Sequence, residues 1–249
     1  MKAARADKRI AVDERLIVAL DVESAEKARE AVKELEGLIT TFKVGLQLYS
    51  AAGPDLVREL VEAGNKVFLD LKFHDIPNTV AQAAVEAAKC GVWMFNVHAS
   101  GGREMMKRTL GDVSEFCQSN GADRPHIIAV TVLTSFNDAD ADETGVRGNV
   151  SGHVERLARL ASSCGLDGVV ASAVELEMIR SAVPDPHFRI VTPGIRFKDE
   201  TNDDQKRVMT PGAALAAGSD HLVIGRPILG AADKRAAATK IVDELKRHL

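Results

Sequence analysis

The chain has 249 residues, 45% hydrophobic and 27% charged, an ordinary balance for a soluble globular protein long enough to bury a large core unaided. Its formal net charge of −4 offers no basic surface for nucleic acid or an anionic membrane. Apolar runs stay short of the ~18 residues of a membrane span, and the charged start Met1–Glu14 has no apolar segment behind it, so no signal peptide is expected.

Short apolar runs alternate with longer amphipathic stretches along the chain. Strands are predicted at Leu16–Asp21, Phe42–Gly45, Lys66–Lys72, Met94–Ala99, His126–Leu133, Gly168–Ala171, Arg189–Thr192 and Leu222–Gly225. Helical patterns lie between them, such as Ser24–Leu35, Pro54–Ala63, Val80–Cys90 and Val154–Cys164. Ser24 starts a capping pattern, but Lys27 stands where a capping box wants Glu or Gln, so half a cap is expected. Strand–helix alternation implies a parallel sheet. Eight units in roughly 230 residues suit a closed (β/α)8 TIM barrel better than an open sheet. No linker, repeat or low-complexity tract interrupts the pattern, so residues 1–249 read as a single α/β domain.

Two connections are long: Asn137–Val150 after strand five and Ile195–Met209 after strand seven. Each is near the length at which a structureless loop is functional or mobile. The first alternates Asp138, Asp140 and Asp142 in the manner of a calcium loop. Glu143 in the sixth place and Asn149 in the twelfth break that pattern and leave a solvated acidic loop. Cys90, Cys117 and Cys164 lie 27 and 47 residues apart, outside any CxxC spacing. Their odd number speaks against a disulfide framework, and buried free thiols in a reducing cytoplasm are expected.

A barrel of this kind carries its site at the C-terminal ends of the strands. The sequence places Asp21 at the end of strand one, Lys43 on strand two, and Asp70, Lys72 and Asp75 on or just after strand three. Asp70 and Lys72, two apart on a strand, face one side with Cα atoms about 6.6 Å apart, and Leu71 faces the helices. Charges inside a sheet are costly unless paired, so an ion-pair network closing the barrel top is one reading. Four alternating charges converging from adjacent strands (Lys43, Asp70, Lys72 and Asp75) favour a functional one. Across the barrel, Thr192-Pro193-Gly194-Ile195-Arg196 ends strand seven and Ile224-Gly225-Arg226-Pro227 ends strand eight, where barrels commonly hold phosphate. Gly225 lets backbone N–H groups approach an anion, and Arg226 can grip phosphate oxygens in a fork. The residues alone thus predict a phosphorylated small molecule held over an Asp/Lys/Asp cluster. GxGxxG, Walker, HExxH and GxSxG patterns are absent, which leaves dinucleotide, NTP, zincin and serine-hydrolase chemistry without support. His74, out of phase with Asp70 and Lys72, reads as a packing or hydrogen-bonding residue, and His98 as structural.

The run Asp70-Leu71-Lys72-Phe73-His74-Asp75-Ile76-Pro77-Asn78-Thr79 closely resembles the signature of the orotidine 5′-monophosphate decarboxylases. Ala19-Leu20-Asp21, Phe42-Lys43-Val44-Gly45, Asn96-Val97-His98-Ala99, Thr131-Val132-Leu133-Thr134-Ser135, Val191-Thr192-Pro193-Gly194-Ile195-Arg196 and Val223-Ile224-Gly225-Arg226-Pro227 match in order. The resemblance covers nearly the whole chain and is closest to the bacterial branch; Asp138–Gly148 is the stretch without a match. It implies loss of CO2 from orotidine 5′-monophosphate to give uridine 5′-monophosphate, the last step of de novo UMP synthesis, in the cytoplasm and with no metal or organic cofactor. It implies Lys72 as the general acid that protonates C6 and Asp70 beside the substrate carboxylate. Asp75, with Thr79 beside it, would serve the neighbouring subunit's site in a homodimer. Asp21 and Lys43 would hold the ribose hydroxyls, with Lys43 also supporting Asp70. Thr134 would contact the pyrimidine, and Pro193, Arg196, Gln205, Gly225 and Arg226 would surround the phosphate. Ile195–Met209, which contains Gln205, would be a lid.

The chemistry agrees with these roles. The carbanion left by CO2 loss has no carbonyl placed to delocalise it, so an ammonium fixed beside C6 stabilises the charge and then delivers the proton. Related sugar-phosphate barrels, the hexulose-phosphate synthases and keto-gulonate-phosphate decarboxylases, share the Asp-x-Lys strand. They hold Mg2+ with a Glu on strand two, where this chain has Lys43 and would repel the ion. A non-catalytic phosphate-binding barrel would have no use for the strand-end charges.

Overall fold

Each apolar run is followed by a segment that carries the chain back across the sheet. In the computed structural model, which describes residues 10–196 and 209–248, that alternation closes into a barrel. Strands β1 (Leu16–Ala19), β2 (Thr41–Gly45), β3 (Lys66–Phe73), β4 (Met94–His98), β5 (His126–Val130), β6 (Gly168–Val170), β7 (Arg189–Pro193) and β8 (His221–Ile224) pair in parallel and in chain order, and β8 pairs with β1. The eight predicted strands are the eight observed. The predicted ends of β1 and β5 overshoot, onto Asp21 and Leu133, which line the barrel mouth instead of the ladder.

Side-chain alternation sorts the strands into two apolar layers. Ile17, Ala19, Phe68, Met94, Ile128, Val191 and Val223 fill the interior. Their strand neighbours, among them Val18, Phe42, Leu69, Phe95, Ile127 and Ile190, face the helices. The inward phase that passes through Phe68 on β3 arrives next at Asp70, so the polar mouth continues the interior layer. The N-terminal end of the barrel is closed by buried polar groups. Arg180 pairs with Asp220 and donates to the carbonyls of Phe188 at 2.6 Å and Gly218 at 2.9 Å. Trp93, the single tryptophan, lies edge-on to His126 and His221, with ring centroids 5.6 and 5.3 Å away. Burial pushes both histidines down to about 4, helped at His126 by the nearby Arg189.

The helices start where local chemistry allows. Ser24 accepts the Lys27 N–H at 3.3 Å and caps Ala25–Glu34. Pro77 opens Pro77–Lys89, at a position where its missing N–H costs nothing. The helical stretch predicted from Pro54 begins earlier, at Leu46; Gly53 at φ 69° kinks it, and Pro54 restarts the coil.

One expectation is corrected. Asn137–Val150 is not without structure, because Asp138–Glu143 is a helix with a capping box. Asn137 Oδ1 accepts from Ala139 and Asp140, and Asp140 returns a bond to the Asn137 N–H at 2.8 Å. Asp138 accepts the Val150 N–H at 2.8 Å and ties the two ends together. Short acidic side chains bond nearby backbone readily, so two of the three alternating aspartates are caps. Of the other long connection, residues 197–208, Gln205 among them, lie outside the described residues. The three cysteines are free and buried, as expected. No helix among the described residues is long and apolar enough to cross a membrane.

Candidate active site

A cavity of about 400 Å³ opens at the C-terminal strand ends. Asp21, Lys43, Asp70, Lys72, Thr134, Pro193, Arg196, Gly225 and Arg226 all line it, so the structure brings together most of the predicted site. On one wall, carboxylates and ammonium groups alternate. Asp21 Oδ1 lies 2.9 Å from Lys43 Nζ, Lys43 Nζ 3.4 Å from Asp70 Oδ2, and Asp70 Oδ1 2.7 Å from Lys72 Nζ. The Lys43 and Asp70 side chains are only 9% and 13% exposed. Charges at that depth persist because each is paired on both sides. Gly45, in register with Asp70, makes the space: a Cβ there would lie 2.8 Å from Lys43 Nζ.

Asp70 and Lys72 share a face as the sequence predicts, but simple alternation is not the cause. In the β3–β4 ladder Leu69 faces Phe95 and Phe73 faces Val97, so β3 uses four residues where β4 uses two. The extra chain bulges. Lys72 sits at φ 53°, the one non-glycine residue in the left-handed region among the described residues. Leu71 packs outward against the helix layer, as expected. The Lys72 N–H donates to Asn96 Oδ1 at 2.8 Å, and Asn96 Nδ2 donates to Asp70 Oδ1 at 2.7 Å. Asn96 is fully buried on β4, and the sequence reading does not single it out. The signal available was its inward phase, between Met94 and His98, on the strand beside the lysine.

The opposite wall suits an anion. A Cβ at Gly225 would lie 3.2 Å from the Ala19 Cβ, so a side chain there would crowd β1 and cover the backbone. Arg226 follows at the surface and begins the short helix Arg226–Leu229. Arg196 is buried, and its N–H donates to the Met209 carbonyl at 3.2 Å, joining the two ends of segment 197–208.

Asp75 and Thr79 are not brought into this cavity. Both are exposed beyond the end of β3, and Asp75 Oδ1 accepts from the Ile76 N–H at 2.6 Å. His98 is half-buried with its ring against that of His74, centroids 5.1 Å apart. Burial, then His74 and Lys72, hold its pKa below the usual histidine value. His74 itself is exposed.

Chemically, the cavity can hold an anion at the β7–β8 wall. It presents a fixed ammonium and a fixed carboxylate to the atoms bound between.

Comparison with known proteins places the chain among similar ones. The model of the Orotidine 5′-phosphate decarboxylase / HUMPS family matches residues 14–241. The orotidine 5′-phosphate decarboxylase of Syntrophotalea carbinolica is 51% identical over 235 residues, 94% of this chain and 96% of that protein. That of Chromobacterium violaceum is 51% identical over 234 residues, covering 94% and 92%. Among solved structures, an orotidine 5′-phosphate decarboxylase from Lactobacillus acidophilus superposes with a TM-score of 0.82 at 36% identity, covering 93% of this chain and 99% of that one.

Proposed function

The chain belongs to the Orotidine 5′-phosphate decarboxylase / HUMPS family, and from that premise we propose that it converts orotidine 5′-monophosphate to uridine 5′-monophosphate and CO2 without metal or organic cofactor. The observation that carries this reading is the alternating Asp21–Lys43–Asp70–Lys72 chain facing Gly225 and Arg226 across one cavity. The phosphate sits at Gly225, Arg226, Arg196, Pro193 and Gln205, the pyrimidine at Thr134, and the ribose hydroxyls at Asp21 and Lys43. This puts the substrate carboxylate beside Asp70 and C6 beside Lys72.

Asp70 is tied at both oxygens, to Lys72 and Asn96 through one and Lys43 through the other, so it cannot swing away from the incoming carboxylate. The bond to the carboxylate carbon breaks, CO2 leaves, and the electron pair remains on C6. Lys72 stabilises that pair as it develops and transfers one N–H proton to it. Substrate filling the cavity removes water and strengthens this fixed charge. Lys43 is a cation at the strand-two position where the sugar-phosphate relatives use a metal-binding acid, which disfavours their Mg2+ chemistry here.

Asp75 and Thr79 complete the site of a second copy. In support, both are exposed and outside their own cavity, and Ile76, 67% exposed, and Leu46, 63% exposed, are left at the same end of the barrel. Both would be covered by a second copy seated on this end of the barrel. We place the enzyme in the cytoplasm as a homodimer, a setting in keeping with three free thiols.

Loss of orotidine-phosphate absorbance, followed with and without chelator, tests the reading. Turnover should survive exhaustive EDTA and vanish in folded Lys72→Ala. Activity that is lost to EDTA and restored by Mg2+ would favour the sugar-phosphate chemistry. Near-normal turnover in Lys72→Ala would remove the lysine from its role.

A further inference from the structure

We infer, on the decarboxylase reading of the cavity, that Asn96 is a positioning residue: one side-chain amide sets both the left-handed backbone of Lys72 and the direction of the Asp70 carboxylate. Backbone groups of β3 alternate between neighbours: the Lys66 N–H bonds to the Thr40 carbonyl beside β2, and the Val67 carbonyl accepts from Trp93 beside β4. A regular strand would therefore aim the Lys72 N–H at β2, whose pairing with β3 ends at Gly45 and Asp70. The register shift between Leu69 and Phe73 turns it instead to β4, where Asn96 Oδ1 accepts it at 2.8 Å. A part-buried N–H left unpaired would be costly, and a lysine at φ 53° is already unfavourable. The bulge therefore persists only if something from β4 reaches across to hold it. The same amide turns its N–H group to Asp70 Oδ1 at 2.7 Å, the oxygen that also accepts from Lys72 Nζ.

The choice of side chain follows from this double duty. Asn96 must accept from one backbone group and donate to one carboxylate at once, in a fully buried position. An apolar side chain could do neither. A carboxylate would accept but not donate, and would face Asp70 with a like charge. The charged and titratable groups around it are Asp70 and Lys72 on β3, Lys43 on β2 through Asp70, and His98 on its own strand with His74 against it. The facing β5 residue, Ile128, is apolar.

The test uses the full-length enzyme and two variants. Asn96→Ala should fold, bind the product uridine 5′-monophosphate within about threefold of wild type, and lose kcat by about 10- to 100-fold, the effect of one hydrogen bond to a charged group. Asn96→Asp should separate positioning from packing. Its protonated carboxyl reproduces both bonds, and its ionised form repels Asp70. Its kcat relative to wild type should therefore climb as pH is lowered from about 8 to about 5, while the ratio for Asn96→Ala stays flat. Wild-type kcat in Asn96→Ala, or a flat ratio in Asn96→Asp, would overturn the assignment. So would a loss of product affinity as large as the loss of kcat. If Asn96→Ala does not fold, the Asn96→Asp ratio decides alone. Wild-type turnover measured alongside keeps two failures apart. An inactive wild type refutes the decarboxylase reading and this inference with it, whereas an active wild type with unaffected variants refutes only the role of Asn96.

Discussion

Gly45→Ala should uncouple activity from stability. The backbone of Gly45 is extended, φ −93° and ψ 178°, which alanine adopts freely. In the unfolded chain, alanine has less entropy to lose, worth about 0.4–1 kcal/mol in favour of folding. The new Cβ, however, would stand 2.8 Å from Lys43 Nζ, and ordinary contact begins near 3.4 Å. The ammonium must retreat by about 0.6 Å (3.4 − 2.8). Taken along the bond to Asp21, that retreat stretches 2.9 Å to about 3.5 Å, the outer limit of a hydrogen bond. Asp21 is 56% exposed, so this limb is screened and contributes only ~0.2–1 kcal/mol to stability. The two terms offset, and the melting temperature should stay nearly unchanged. Catalysis responds differently, because Lys43 Nζ also pairs with Oδ2 of the buried Asp70 at 3.4 Å, so a shift of the ammonium disturbs the carboxylate at the reacting centre. A disturbance there of about 1.4–2.8 kcal/mol lowers kcat by about 10- to 100-fold. Steady-state kinetics and a thermal melt on one preparation decide it. Wild-type kcat would show that the lysine has slack and that the close fit at Gly45 is irrelevant. A joint fall of kcat and melting temperature would show that the backbone, and not the ammonium, had moved.

Other outcomes follow from the same geometry. Arg226→Ala should weaken transition-state binding by roughly 2–5 kcal/mol, as for a charged partner removed from a bound anion, and hardly affect a truncated substrate lacking phosphate; equal losses on both would exclude Arg226 as the phosphate ligand. Lys72→Ala and Asp75→Ala chains, dissociated and reassembled together, should recover about a quarter of wild-type activity, because half the dimers are mixed and each mixed dimer has one intact site. No recovery despite proven subunit exchange would return Asp75 to its own chain. His126 and His221 are held at about 4 against an ordinary 6.5. Unfolded histidines take up protons as pH falls below 6.5 and folded ones only near 4, so stability is full above that window and is lost through it, by about 3 kcal/mol for each histidine at most. Melts followed by Trp93 fluorescence should therefore depend on pH between about 7 and 4 more steeply in wild type than in His221→Phe; parallel slopes would remove burial of this histidine as a cause of acid lability.

Much of the barrel and its chemistry was legible before any coordinates. Short, nearly continuous apolar runs mark the eight strands because a strand of a parallel barrel buries both faces, and the length of such a run is a local property of its residues. Residue type alone placed Asp21, Lys43, Asp70 and Lys72 at one mouth and Gly225 and Arg226 at the other wall. The acidic stretch after β5 reads as a loop for a local reason: the Asn137–Asp140 pair is a capping box, and its helix is too short to show a periodic face. What the tertiary structure alone decided is how the charges are held. The bulge in β3, the φ of 53° at Lys72 and the Asn96 amide that spans them depend on which β4 residue stands beside which β3 residue. That register joins positions 24 apart in the chain and is set by closure of the whole ladder. Likewise, the need for glycine at position 45 appears only once Lys43 and Asp21 are paired above it, because a missing Cβ carries no signal until the neighbour that would strike it is in place.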